Sequence, residues 1–260
     1  MTSPFESWPV TGKRESDIRL EWDRIASLRL AQISEGRDIS FSCVLQPAIL
    51  DLIQDKDRTT VLDVGCGVGV LTARVAATSH EVTGIDISCE SIDLAKRHFS
   101  GMTNLRFLAM SVEEFAAHSS ERFTLVTANM MLMTALDLDT ALGAILRLMA
   151  PRGRFIFTVT HPCFFPGYWH YEQEGWFDYS REILIEAPFR ISMDGRSDFV
   201  TTHIHRPLEQ YFEAIARCGL AVLSVVEPRP QGEVPAEYLR NWRFPRFLGM
   251  VCSARPSGRL

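Results

Sequence analysis

The stretch "VLDVGCGVGVL" (Val61–Leu71) places three glycines, Gly65, Gly67 and Gly69, directly behind the β-branched run "TTVLDV" (59–64). Glycine reaches positive φ without a Cβ clash and lets another group come close to the main chain. The glycines are followed by "VLTARVAATS" (70–79), which has helical character. A strand, a glycine turn and a helix in that order form the first crossing of an α/β sheet, and ligands bind at such turns.

The alternation continues downstream. "EVTGID" (81–86) reads as a strand, "SCESIDLAKRHF" (88–99) as a helix, "LRFLAM" (105–110) as a strand and "SVEEFAAH" (111–118) as a short helix. "FTLVTAN" (123–129), "LDTALGAILRLMA" (138–150) and "RFIFTVT" (154–160) follow as strand, helix and strand. Strands separated by helices in this way imply parallel βαβ units in a doubly wound sheet. "LEQYFEAIARCGL" (208–220) then reads as a helix, and two strands lie in "LAVLSVVE" (220–227) and "PRFLGMVCSA" (245–254).

Upstream of the glycines, Ile18, Trp22, Ile25 and Leu28 recur at helical spacing over 16–34, and Gly36 is placed to stop that helix. A second helix is expected over 43–54. Residues 1–58 are therefore expected to form a helical cap on a ligand-binding domain spanning 59–260. Residues 161–205 interrupt the rhythm, being far longer than the usual connection of about 2–6 residues. Their aromatic content ("CFFPGYWHYEQEGWFDY") suits a lid or a substrate wall.

Composition narrows the function. A net charge of −5 argues against a large nucleic-acid-binding face, which needs clustered Lys and Arg. No apolar run reaches the roughly 18 residues needed to span a bilayer, and "MTSPFESWPVTGKRESD" lacks the pattern of a secretory leader. The expectation is a cytoplasmic protein with a small-molecule partner, no nucleic acid and no membrane; the sequence leaves open whether it is a homo-oligomer. The six cysteines form no C-x-x-C pair, so no metal is expected and most should be reduced and buried.

Asp86 closes the second strand about 20 residues after the first glycine, where doubly wound folds set a carboxylate against ribose hydroxyls. The spacing here is G-x-G-x-G, with Val70 in place of a third dinucleotide-type glycine, and Asp63 stands just before the turn. A carboxylate there is ill suited to a pyrophosphate and well suited to a ligand with a positive end.

"LDVGCGVGVLT" resembles the signature of the class I S-adenosylmethionine-dependent methyltransferases, and "VTGIDIS" is similar to their second strand. "THPCFFPGYW" (160–169), "HRPLEQYF" (205–212), "EPRP" (227–230) and "PRFL" (245–248) are similar to a subgroup acting on small molecules in specialised metabolism. The resemblance implies a Rossmann-like, seven-stranded, mostly parallel sheet of order 3-2-1-4-5-7-6 with its last strand antiparallel. It implies S-adenosyl-L-methionine as cofactor, with Asp63, Gly65, Cys66 and Gly67 around the methionine part. Asp86 would take the ribose hydroxyls, Ile87 the adenine face, Ser111 and Val112 the adenine edge, and Asn129 the sulfonium side.

For the acceptor, "ANMMLMTAL" (128–136) lacks the Asn/Asp-Pro-Pro-aromatic motif that cups nucleobase amino groups. A small, largely apolar acceptor, aromatic or isoprenoid-like, fits the aromatic insertion; Trp22, Tyr168, Trp169 and His205 are its candidate contacts. His161, just past the fifth strand, is the candidate general base, because histidine titrates near neutral pH. Of His203 and His205 in "THIHRPL", only one is expected to face the pocket. The same scaffold could retain the cofactor for a cyclisation or rearrangement, or serve as a non-catalytic binding protein.

Overall fold

The computed structural model describes residues 6–191, 197–240 and 242–255; the parts of the expected cap and insertion at 1–5 and 192–196 lie outside them. In chain order the elements are β1 (Trp8–Val10), α1 (Glu15–Ser34), α2 (Gln46–Ile53), β2 (Thr60–Val64), α3 (Val70–Ala76), β3 (Glu81–Asp86) and α4 (Cys89–His98). Then follow β4 (Leu105–Ala109), α5 (Val112–His118), β5 (Phe123–Asn129), α6 (Leu138–Leu148), β6 (Met149–Thr160) and α7 (Phe165–Tyr168). The chain continues through β7 (Ile183–Pro188), β8 (Val200–His205), α8 (Leu208–Arg217), β9 (Leu220–Val226), α9 (Ala236–Arg240) and β10 (Phe247–Ala254). A π-helical turn, Phe41–Leu45, leads into α2.

The main sheet has seven strands in the order β4-β3-β2-β5-β6-β10-β9. β2, β3, β4, β5 and β6 pair in parallel, whereas β10 runs antiparallel to both β6 and β9. This is the expected doubly wound order. Successive residues of β2 serve opposite faces, as strand periodicity requires. Leu62 and Val64 join Phe115, Leu142, Ile145 and Tyr211 of α5, α6 and α8. Val61 joins Ile49, Ile53, Leu71 and Val75 of α2 and α3 on the other side. Side-chain caps start α4, α5 and α6: Ser88 accepts from Ser91 N–H, Ser111 from Glu114 N–H and Asp137 from Thr140 N–H.

Two expectations need correction. The helix read over 138–150 ends at Leu148, because Pro151 drives the residue before it out of the helical region. Cys89 and Cys163 are exposed and Cys43 and Cys218 only partly covered, so most of the cysteines are not buried, although all six are free.

Sequence periodicity does not anticipate a second sheet, antiparallel and ordered β1-β7-β8. It joins the start of the chain (Trp8 opposite Glu186) to the two strands of the insertion (Ile183 opposite His205). Buried Glu21 of α1 fastens the two parts together. Its carboxylate accepts from Thr202 N–H at 2.7 Å and Thr202 Oγ1 at 2.9 Å and pairs with Lys13, which also meets Glu186. β1, α1 and the insertion thus form one layer over the carboxyl edge of the main sheet, whereas α2, expected in the same cap, packs on a face of that sheet beside α3. Among the described residues no helix is long and apolar enough to cross a membrane.

Candidate functional site

The carboxyl ends of β2, β3, β5 and β6 open into a cavity of about 540 Å³, bounded by Asp63, Asp86, Asn129 and Thr160. The glycine turn forms its floor. Gly65 and Cys66 N–H both donate to the Ile85 carbonyl, at 2.8 and 3.0 Å, which ties the turn to the end of β3. All three glycines have positive φ, but for different local reasons. A Cβ on Gly65 would lie 2.5 Å from Met131 Cγ, and one on Gly69 would lie 2.6 Å from the Phe107 ring. A Cβ on Gly67 would meet nothing within 4 Å. Two of the glycines therefore admit core side chains, and only Gly67 has open space beside it.

Two carboxylates border the turn. Asp63 is buried and accepts from Thr72 Oγ1 and Thr127 Oγ1, each at 2.7 Å. Burial raises its pKa to about 6, against those two hydrogen bonds. Asp86 is raised as well, mainly by burial, while N–H groups of Ser88 and Gly67, both at 2.8 Å, hold it down. No Arg, Lys or His pairs with either acid among the described residues. Two desolvated acids without a cation suit a ligand that brings positive charge and hydroxyl donors. Asp23 of α1 reaches the same place, accepting from Ser88 Oγ at 2.7 Å and Glu90 N–H at 3.2 Å.

Ile87, Ser111, Val112 and Asn129 line the cavity with Cys66, Gly65 and Gly67. The Ser111 hydroxyl already accepts from Glu114 N–H in a capping box, so its free acceptor capacity is smaller than expected; Glu113 beside it lines the wall. Asn129 Oδ1 accepts from Thr158 Oγ1 at 2.7 Å. The next residue, Met130, has φ 58°, a left-handed conformation for a non-glycine, and it turns Met131 onto Gly65.

At the other end the walls are largely aromatic. Trp22 meets Phe189 edge-on at 6.3 Å, and Trp169 stacks on Phe165 at 5.2 Å with the Arg190 guanidinium 4.6 Å from its ring centre. Tyr168 also borders the cavity, with Arg246 3.9 Å from its ring centre.

The histidines are not where they were expected. Thr160 faces the cavity, so the alternation of β6 turns His161 to the other side. There its Nε2 lies 3.2 Å from Glu227 Oε1, its Nδ1 accepts from Cys163 N–H at 3.2 Å and its ring leans on Phe164. Burial lowers its pKa, with Glu227 acting against that. His205 is likewise turned away, its Nε2 3.0 Å from the Tyr179 carbonyl and its ring against Phe177. His203 and His205, two residues apart on β8, share one face of the strand, contrary to expectation, and His205 is near enough to depress the His203 pKa; of the two, His203 lines the cavity. Neither His161 nor His205 thus lines this cavity.

Arg206 escaped sequence reasoning. Its fully buried guanidinium bonds Glu182 at 2.6 Å, the Leu132 carbonyl at 3.0 Å and the Ala135 carbonyl at 2.6 Å, fixing the loop after β5 against the second sheet. A lone arginine before a proline gives no periodic signal; its partners are brought together only by tertiary contact. No group of His, Cys, Asp and Glu is placed to hold a metal ion among the described residues.

Residues 55–176 match the family model of a methyltransferase domain. The ubiquinone biosynthesis O-methyltransferase of Aeromonas salmonicida (strain A449) is 35% identical over 121 residues, 44% of this chain and 51% of that one. That of Aromatoleum aromaticum is 36% identical over 99 residues, covering 38% and 42%. The chain thus spans about half the length of these curated relatives or less. Among solved structures, an S-adenosylmethionine-dependent methyltransferase of Clostridium acetobutylicum ATCC 824 superposes with a TM-score of 0.63 at 16% identity, over 90% of this chain and 99% of that one. A DhpI-SAM-HEP complex gives 0.63 at 19% identity, over 94% and 100%. Both likenesses are likenesses of fold.

Proposed function

We propose that this chain is a class I S-adenosylmethionine-dependent methyltransferase that binds S-adenosyl-L-methionine and methylates an oxygen of a small, largely apolar acceptor. The observation that carries the reading is one continuous cavity, with the glycine turn and two buried acids at one end and aromatic walls at the other. Gly67 leaves room for the methionine part beside the main chain, and Asp63 supplies negative charge there. Asp86, already oriented by Gly67 and Ser88 N–H groups, keeps lone pairs for the ribose hydroxyls. Ile87 and Val112 flank the adenine, with Glu113 in reach of its edge, and Asn129 borders the sulfonium side.

When bound, the cofactor supplies an electrophilic methyl carbon on a sulfonium sulfur. The protein's own tasks are to align the acceptor and keep water out. Phe165, Tyr168, Trp169, Trp22 and Met133 form an apolar wall suited to an aromatic or isoprenoid-like acceptor. Attack from oxygen is supported by the names of the curated relatives, which are O-methyltransferases.

The test is calorimetric titration of the full chain with S-adenosylmethionine and S-adenosylhomocysteine. Incubation with phenols, catechols, aliphatic alcohols and amines then follows, reading S-adenosylhomocysteine release and product mass. Binding of both molecules and a methylated phenol or catechol are expected. Absence of binding would remove the cofactor assignment, and turnover confined to amines would remove the oxygen acceptor.

A further inference from the structure

The chain has seven histidines, and among the described residues His203 is the one that lines the cavity. It lies on β8, opposite Ile185 of β7, between the cavity-lining Thr202 and the inward-packed Ile204. Its Nε2 is 3.4 Å from the Tyr171 hydroxyl, and the Tyr171 and Phe165 rings pack beside it at 5.9 and 5.8 Å. Tyr171 is only 2% exposed, and burial pushes its phenol above the usual range, so it remains a neutral hydrogen-bonding partner. With Nε2 engaged there, Nδ1 has no protein partner among the described residues and is the nitrogen left to the cavity.

We propose that His203 receives the acceptor's hydroxyl proton during methyl transfer, through Nδ1, with Tyr171 fixing the ring. This rests on the O-methylation reading. The tautomer that serves it donates from Nε2 to the Tyr171 oxygen and keeps a lone pair on Nδ1. As a carbon–oxygen bond forms from an oxygen lone pair, the methyl carbon–sulfur bond of the bound cofactor would break with its electron pair going to sulfur, and the acceptor's O–H bond breaks. Its electron pair stays on oxygen, and the proton passes to Nδ1, then to water as product leaves. Charge in the cavity is conserved, a sulfonium cation before and an imidazolium after.

The surroundings agree with this timing. Burial first, then the charge of His205, lower the pKa of His203 to about 4. It is therefore neutral beside a cationic ligand at physiological pH. A base of that strength lies roughly 6 units below an ordinary phenol and cannot deprotonate it in advance. It can accept the proton as the carbon–oxygen bond forms, because the oxygen becomes strongly acidic while it gains the methyl group. The neighbouring wall is apolar on the Phe165 and Trp169 side, which also keeps water from competing for the proton.

The experiment uses the full chain loaded with S-adenosylhomocysteine and titrated with 4-nitrophenol, whose absorption band moves when its hydroxyl is strongly hydrogen-bonded. Wild type should shift the band, His203→Phe should not, and His203→Asn, which keeps an acceptor oxygen, should restore most of the shift. Turnover on the phenol or catechol that releases most S-adenosylhomocysteine should fall about 10²–10⁴-fold in His203→Asn, the usual contribution of a general base. Its KM should change little, and the solvent deuterium isotope effect should shrink towards unity. His161→Ala should keep wild-type turnover while melting earlier. Equal band shifts in wild type and His203→Phe, or no shift in wild type, would overturn the proposal, as would near-normal turnover in His203→Asn. Failure to bind S-adenosylhomocysteine at all would instead remove the underlying methyltransferase reading, and calorimetry separates the two failures.

Discussion

Asp86 is oriented before any ligand arrives, by two N–H groups that converge on its carboxylate from the glycine turn and from Ser88. If it also accepts from both ribose hydroxyls, Asp86→Ala removes two charge-assisted bonds at roughly 1.5–3 kcal/mol each, with overlap between them. The expected loss is about 2–4 kcal/mol in cofactor binding, or roughly 30- to 1000-fold in affinity. Asp86→Asn should lose less, since one acceptor oxygen remains. Calorimetry on both variants, with melting curves to show that they fold, is the check; unchanged affinity would move the ribose site elsewhere. This acid and Gly67 were legible because their spacing from the strand is fixed by the fold. The packing of Gly65 on Met131 was not, because Met131 lies far along the chain and reaches the turn only through the strained Met130.

The insertion and the N-terminal segment act as one element. β1 pairs with β7, Glu21 of α1 bonds Thr202 of β8, and the Ile204 N–H donates to the Met133 carbonyl of the loop after β5 at 2.7 Å. Arg206 holds the same loop from the end of β8. This layer presents Trp169, stacked on Phe165, to the cavity. Truncating an aromatic wall residue removes about 1.5–3 kcal/mol of apolar burial, so Trp169→Ala should weaken the acceptor roughly 10- to 150-fold. Cofactor affinity should stay nearly unchanged, because the glycine turn and the acids belong to the main sheet. Parallel titrations decide it: equal losses for both ligands would place Trp169 at the cofactor. The aromatic richness of 161–205 revealed a wall, but not its strands, because much of their pairing crosses from one end of the chain to the middle.

At the scale of the molecule, the unpaired acids make stability and ligand binding oppose each other. The folded-state pKa of Asp63, about 6, lies above its ordinary value of 3.8. Its contribution to stability is therefore fully present below about pH 3.8 and is lost as pH rises through about 6. Above that, the unliganded fold carries a cost on the order of 3 kcal/mol, from a shift of roughly two pKa units. Asp63→Asn should consequently melt several degrees above wild type at pH 8, with the gap closing towards pH 4. It should also bind S-adenosylmethionine more weakly. The low pKa of His203 works the other way, its contribution present above about pH 6.5 and lost towards pH 4, but it is common to both proteins and cancels in the comparison. Melting curves of both proteins across pH 4 to 8 check this. A constant gap, or a less stable variant at pH 8, would contradict it.

The sequence alone determined the doubly wound sheet, the ligand-binding turn and the acid behind it. Strand alternation, helix caps and glycine φ are local properties, repeated at spacings that one dimension can display. It also set His203 and His205 two residues apart, on one face of a strand, without saying which of them reaches the cavity. That choice, the turning of His161 towards Glu227 and the arrival of Arg206 under the loop after β5 depend on tertiary packing. A side chain's direction along a strand follows from parity. Whether that direction leads into a cavity depends on the layer above it, and here that layer is assembled from both the N-terminal segment and the insertion.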